Sequence, residues 1–244
     1  LENHEGKWFS SLSRHLADVP LIRIKQRGQN PIHIEKLLRY DKPDIILVNG
    51  EQPVLVVEKT AEVPSGHNIG QRFGRIVNAA EENVMALFFL PFVAKKHGRY
   101  SGACYIPGRF FRALEKIEII HEVPVLAIDW PSDSSFELIT DGTENKVIGE
   151  LVDDLIYHNF DYSKCEKIKS VRNLMLERVK PHVRKDEFGP LIKAANGENV
   201  PVPELKLSLI KAIEIMVREI PVDNTVNVLN SAKKALEDTL NAIV

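Results

Sequence analysis

Residues 43–60, PDIILVNGEQPVLVVEKT, set two apolar runs on either side of an Asn49-Gly50 turn signal, with Pro53 punctuating the far side. Runs this short and this rich in Val, Ile and Leu read as the two strands of a buried hairpin. Side chains alternate along a strand, so Val56, Glu58 and Thr60 share one face while Val57 and Lys59 share the other. Asp44 opens the first strand and Glu58 closes the second, a separation that a hairpin with a short loop closes. Carboxylates are costly in such apolar company unless something pairs with them. Two acids at the ends of adjacent strands converge on one point, and that is how a protein holds Mg²⁺, with water and phosphate oxygens completing the shell.

The arrangement resembles the PD-(D/E)xK nuclease superfamily, to which most Type II restriction endonucleases belong. There a Pro-Asp pair precedes one strand, and the next strand carries an acid, one spacer and a lysine. Pro43-Asp44 and Glu58 match, and Thr60 stands where the lysine is expected; Lys59 is the spacer. The resemblance covers roughly residues 32–95. It implies Asp44 and Glu58 as ligands of Mg²⁺ (Mn²⁺ as substitute), with Thr60 or Lys59 at the third position. It also implies double-stranded DNA as substrate and a homodimer, so that two sites cut both strands.

After the second acid, SGHNIGQRFGRIVNAAEEN (65–83) starts with a Ser65 cap and continues with helical spacing. Ile69, Phe73, Ile76 and Val77 form an apolar stripe, His67, Gln71 and Arg75 lie four residues apart on another face, and Asn68 and Arg72 pair beside them. In the superfamily the helix after the second acid packs beside the active site, so the resemblance implies that Gln71, Arg72 or Arg75 stands in for the missing lysine, with the positive charge coming from an arginine. Gly70 and Gly74 each cost ~1 kcal/mol relative to Ala inside a helix, which suggests close backbone approach.

These residue types answer a chemical need. A phosphodiester is anionic and resists hydroxide; a divalent cation held by two carboxylates polarises its oxygen and activates water, and a neighbouring cation stabilises the charge of the transition state. Glu35, on the short helix expected over PIHIEKLLRY (31–40), is a further acid whose simpler role is to pair with Lys36 or Arg39.

The net charge of −2 does not itself advertise nucleic acid, but basic residues cluster. Residues 95–116 carry Lys95, Lys96, Arg99, Arg109, Arg112 and Lys116, with Tyr100 among them, and 164–185 carry a second group. Lys95, Lys96, Arg99, Tyr100, Arg109 and Arg112 are the expected DNA contacts, a basic groove around an acidic floor. Cys104 and Cys165 are isolated, which indicates neither zinc nor a disulfide framework and fits a cytoplasmic setting. The longest apolar run, 84–94, is too short to span a bilayer and contains a proline, so no membrane association is expected.

The remaining elements follow from periodicity: an amphipathic helix over 7–19, a strand over 21–26, buried strands over 86–92 and 124–130, and a helix around 108–120 between them. FELIT (136–140) is a possible short strand, and helices are expected over 146–158, 164–180, 204–219 and 225–243. The order implies an α/β fold with a mixed central β-sheet flanked by helices and a helical C-terminal region. It divides into a catalytic core (1–145) and a helical part (146–244) for recognition, core completion or dimerisation, or forms one continuous domain. Leu205, Leu209, Ile213 and Val217, then Val228, Leu229, Ala232, Leu236 and Leu240, form the apolar faces of the last two helices. The expected function is a Type II-like DNA endonuclease; the alternatives are an inactive nuclease-like binding module and an unrelated α/β protein with structural acids.

Overall fold

The structure, a computed structural model, describes residues 4–62, 66–96, 102–219 and residue 234. Arg99, Tyr100, Ser65 and the helix expected over 225–243 lie outside the described residues. The chain is an α/β protein whose four-stranded mixed sheet has the order β1-β2-β3-β6. These strands are β1 (Ile45–Asn49), β2 (Gln52–Lys59), β3 (Met85–Leu90) and β6 (Val125–Asp129). The first pair is antiparallel and the other two are parallel. Parallel strands covered on both faces read as unbroken apolar runs, and all six residues of β3 are buried.

Gly50 makes the hairpin possible, taking a positive φ of 62° at the first of the two loop positions. Near the loop, Val48 pairs with Pro53; beyond it, Leu47 pairs with Leu55, so Val54 is an extra residue on β2, a β-bulge.

Helix α3 (Gly66–Glu81) forms the crossover from β2 to β3 and, with α4 (Gly108–His121), covers one sheet face. Its Ile69, Ile76, Ala79 and Ala80 are buried, and Phe88 of β3 meets Phe110 of α4 edge-on at 5.8 Å. On the opposite face Trp8, from α1 (His4–Ser10), stacks on Phe89, while at the outer edge of β6 Met175 of α6 (Glu166–Ala195) accepts the Ala127 N–H. Helix α5 (Thr143–Tyr157) buries Ile148, Leu151, Val152 and Leu155. It is held to the N-terminal segment so closely that a Cβ on Gly149 would lie 2.3 Å from the Leu12 carbonyl oxygen.

Two compact units divide the chain, residues 1–180 and 181–244. The sequence reading places its division at 145/146; α5 and the first half of α6 instead belong with the sheet, because their apolar faces are buried in the first unit. In the second unit α7 (Val202–Glu219) buries Ser208 and Ala212, while Leu205, Leu209 and Ile213 are half-buried. No helix among the described residues is long and apolar enough to cross a membrane.

Some expected elements differ. The helix over 7–19 stops at Ser10 and resumes as a single 3-10 turn at Arg14–Leu16, capped by Ser13. Residues 21–26 form no strand: Asn30 Oδ1 accepts the Lys25 N–H and its Nδ2 donates to Gln26 O, so a side chain replaces the ladder. FELIT contributes only an isolated bridge, Ser132 to Leu138. A small hairpin, β4 (Val93–Lys95) with β5 (Ala103–Tyr105), arises where the sequence offered only a basic loop. Its strands are too short to show a period.

Candidate active site

Asp44 and Glu58 meet at the end of the β1–β2 hairpin. The Asp44 backbone N–H donates to Glu58 Oε1 at 3.1 Å, and the Lys59 N–H donates to Asp44 Oδ2 at 2.9 Å. Their other oxygens face a common point, taken by Arg75 of α3: its Nη1 lies 2.8 Å from Glu58 Oε2 and 3.6 Å from Asp44 Oδ1. The same guanidinium holds Asp41 Oδ2 through Nε at 2.9 Å and Nη2 at 2.5 Å. One arginine thus serves three acids.

The electrostatics are uneven. Glu58 has 0% of its surface exposed. Burial, then the neighbouring Asp44 charge, pushes its carboxyl up to about 8 despite Arg75. Asp44 is also raised, chiefly by burial, against the Lys59 N–H and Arg75. Asp41 goes the other way: burial opposes its ionisation, but the Arg75 hydrogen bond and charge prevail and lower it. A buried carboxyl whose pKa is pushed well up beside a second acid marks a functional candidate, because such perturbed groups cluster at working sites.

Of the other expected site residues, Thr60 is buried on the Glu58 side of β2. Its N–H continues the parallel ladder to Phe89 O at 3.0 Å, and its hydroxyl accepts the Glu62 N–H at 3.1 Å. Lys59 reaches the site through its backbone alone. As strand alternation requires, its ammonium lies on the other face, 2.9 Å from Glu5 Oε2 and 4.5 Å from the Trp8 ring centroid. Arg72 turns to Glu62 at 3.1 Å and to the Asn68 carbonyl at 3.2 Å. Gln71 is exposed, and the His67 side chain lies outside the description. The cation at the carboxylates is therefore Arg75, one helical turn beyond Gln71. Helical spacing narrows the choice to a face, but only the docking angle of α3 on β2 selects the residue. Glu35 stays away from the pair, accepting the Asn30 N–H at 2.8 Å.

No family model, curated protein or solved structure matches this chain.

The two carboxylates are donors of the type a small hard cation takes, but their shared point holds Arg75 Nη1, so a cation would bind there only with that guanidinium drawn aside. Mg²⁺ is commonly held by one or two carboxylates with water and substrate phosphate, and Asp44 Oδ1 with Glu58 Oε2 supplies two converging oxygens. Among the described residues there is no group of three or more His, Cys, Asp and Glu arranged for a metal, so the protein would supply only part of the shell.

The basic clusters are largely committed within the fold. Lys95 pairs with Glu137 at 2.5 Å, the Lys96 N–H donates to Gly102 O, and Arg109 is exposed and Arg112 half-buried on α4. In the second cluster Lys164 pairs with Asp161, Lys167 with Glu150 and Arg172 with Glu118. Arg178 joins Asp129 at the end of β6 to Glu144 at the start of α5, at 3.0 and 2.9 Å.

Proposed function

We propose that the chain is a metal-dependent endonuclease acting on double-stranded DNA, with Asp44 and Glu58 as the cation's protein ligands. The observation that carries this reading is the convergence of Asp44 Oδ1 and Glu58 Oε2 on one point at a sheet edge, in a pair that burial and mutual repulsion leave electrostatically unsettled. A divalent cation there would neutralise the pair and supply Lewis acidity toward a phosphodiester. The chain's own groups hold that geometry: the Lys59 N–H orients Asp44, and the Asp44 N–H orients Glu58. With the cation in place, Arg75 would be displaced from the two carboxylates while keeping its anchor on Asp41, a positive charge beside the site of the kind that stabilises transition-state charge, and Thr60 places a hydroxyl on the Glu58 face of β2. A homodimer would let two such sites cut both strands.

A second reading, a nuclease-like module that binds without cutting, is favoured by one observation: Arg75 already provides the pair with a counter-charge while Thr60 supplies none. Incubating long, mixed-sequence double-stranded DNA with the protein and Mg²⁺ or Mn²⁺, beside Asp44→Ala, decides between them. Discrete fragments that vanish in the variant support the nuclease. Intact DNA with both metals, methylated or not, overturns it in favour of the module.

A further inference from the structure

On the other face of the same sheet edge, Trp8, Phe89 and Trp130 form a parallel aromatic set. Trp8 and Phe89 lie 5.8 Å apart with planes 4° from parallel, and Phe89 and Trp130 lie 4.8 Å apart at 3°. Both indoles are pinned: Trp8 Nε1 donates to Asn145 Oδ1 at 3.1 Å, and Trp130 Nε1 donates to Ile139 O at 2.9 Å. Beside them opens a cavity of about 190 Å³, lined also by Lys59, Ile139, Thr140, Thr143 and two acids, Asp141 and Glu144, the latter paired with Arg178 at 2.9 Å. We propose that this cavity is a binding site for a single nucleobase, presented by a nucleotide turned out of the DNA strand; the DNA origin of the base rests on the nuclease reading above.

Size, shape and charge favour that ligand class. The cavity is smaller than the roughly 300–1,000 Å³ usual for drug-sized ligands, which leaves room for one ring system. Pinned, parallel rings give the cavity an aromatic wall, the kind of surface against which every base can pack, and Thr140 and Thr143 line it beside them. The cation–π position is already filled, with Lys59 Nζ 4.5 Å from the Trp8 centroid and 5.6 Å from that of Trp130, and of the two acids in the wall Glu144 is answered by Arg178 and Asp141 accepts the Thr143 N–H. Location points the same way: ligands of open α/β sheets bind beyond the carboxyl ends of parallel strands, and Lys59, Phe89 and Trp130 stand at or just past those ends of β2, β3 and β6. Lys59 joins the two sites, its N–H on Asp44 and its side chain in the cavity wall. Turning a base out of the stack costs a few kcal/mol, which a stacking pocket offsets.

Trp8 and Trp130 are the chain's two tryptophans, so its tryptophan emission reads this cavity directly. The experiment titrates the metal-free full chain with uncharged deoxyadenosine and, separately, with DNA oligonucleotides. Saturable quenching by both is expected, with apparent Kd raised at least about tenfold, ~1.4 kcal/mol, in Ile139→Glu, which keeps both tryptophans, and in Trp130→Ala. Quenching by the nucleoside without quenching by DNA overturns the extruded base in favour of a free-nucleoside site. No quenching by the nucleoside, or equal affinity in Ile139→Glu, overturns the base site itself. DNA cleavage assayed in parallel tests the carboxylate pair separately: a cutting enzyme that ignores deoxyadenosine loses only this proposal, and a base-binding protein that cuts nothing loses only the nuclease.

Discussion

Glu58 and Lys59 are neighbours in sequence and opposites in circumstance. On the Glu58 face, three acids share one arginine, and burial with the Asp44 charge pushes the Glu58 carboxyl up to about 8. On the Lys59 face, an ammonium rests on an indole and pairs with Glu5, so its charge is answered where it stands. Both faces contain a buried or half-buried charge, yet only on the first do the acids outnumber the cation that serves them. Burial of charge is therefore weak evidence of function; burial that leaves charge uncompensated is stronger evidence.

The contrast can be broken in five ways. On the proposed function the largest effect is expected from Glu58→Gln, which keeps the shape and removes a proposed ligand of the cation: loss of several kcal/mol of Lewis-acid assistance should cut DNA cleavage at least about 10³-fold, measured under single-turnover conditions. Next, Arg75→Leu leaves the pair without its counter-charge. Denaturant unfolding should show a loss of roughly 3 kcal/mol at pH 9, where Glu58 is ionised, shrinking toward ~1 kcal/mol at pH 6.

The third concerns pH itself. The Glu58 carboxyl is raised when folded, so the folded state binds the extra proton; its contribution to stability is full below about 4.5 and is lost as pH rises through about 8. At ~1.4 kcal/mol per pKa unit the metal-free protein should lose a few kcal/mol over that window, and Glu58→Gln should flatten the profile. Mg²⁺ at pH 8 should then raise the wild-type Tm and leave that of the variant unchanged.

Two smaller effects belong to the aromatic face. Gly149→Ala forces the Leu12 carbonyl away and should cost roughly 1–3 kcal/mol, shifting Trp8 emission while the Mg²⁺-induced rise in Tm persists. Lys59→Ala removes an ion pair and a cation–π contact, for about 1 kcal/mol. It retains the N–H that holds Asp44, so Mg²⁺ affinity should stay at the wild-type value. A lost Mg²⁺ response in Lys59→Ala would show that the two faces are not separate.

What the chain disclosed in advance was set by local patterning. The hairpin, α3, β3, α4 and β6 follow from alternation, a turn glycine and apolar runs, and so does the convergence of Asp44 with Glu58. Arg75 and the stacked tryptophans depend on distant pairings instead. Trp8 reaches Asn145 across most of the first unit, and no window of sequence contains both. The missing strand at 21–26 is a similar case, since its alternation was genuine but Ile22 is 77% exposed and no neighbouring strand pairs with it.

The unpaired Val54 has a consequence for phase. Counting from the loop, the Asn49–Gln52 and Val48–Pro53 pairs would carry Asp44 to a place opposite Val57; the Leu47–Leu55 pairing beyond the bulge carries it opposite Glu58 instead. That single additional residue acts as a frame-shift in space, bringing two acids of different strands onto one rung. Deleting it would leave the composition of the hairpin nearly intact and its two acids out of step.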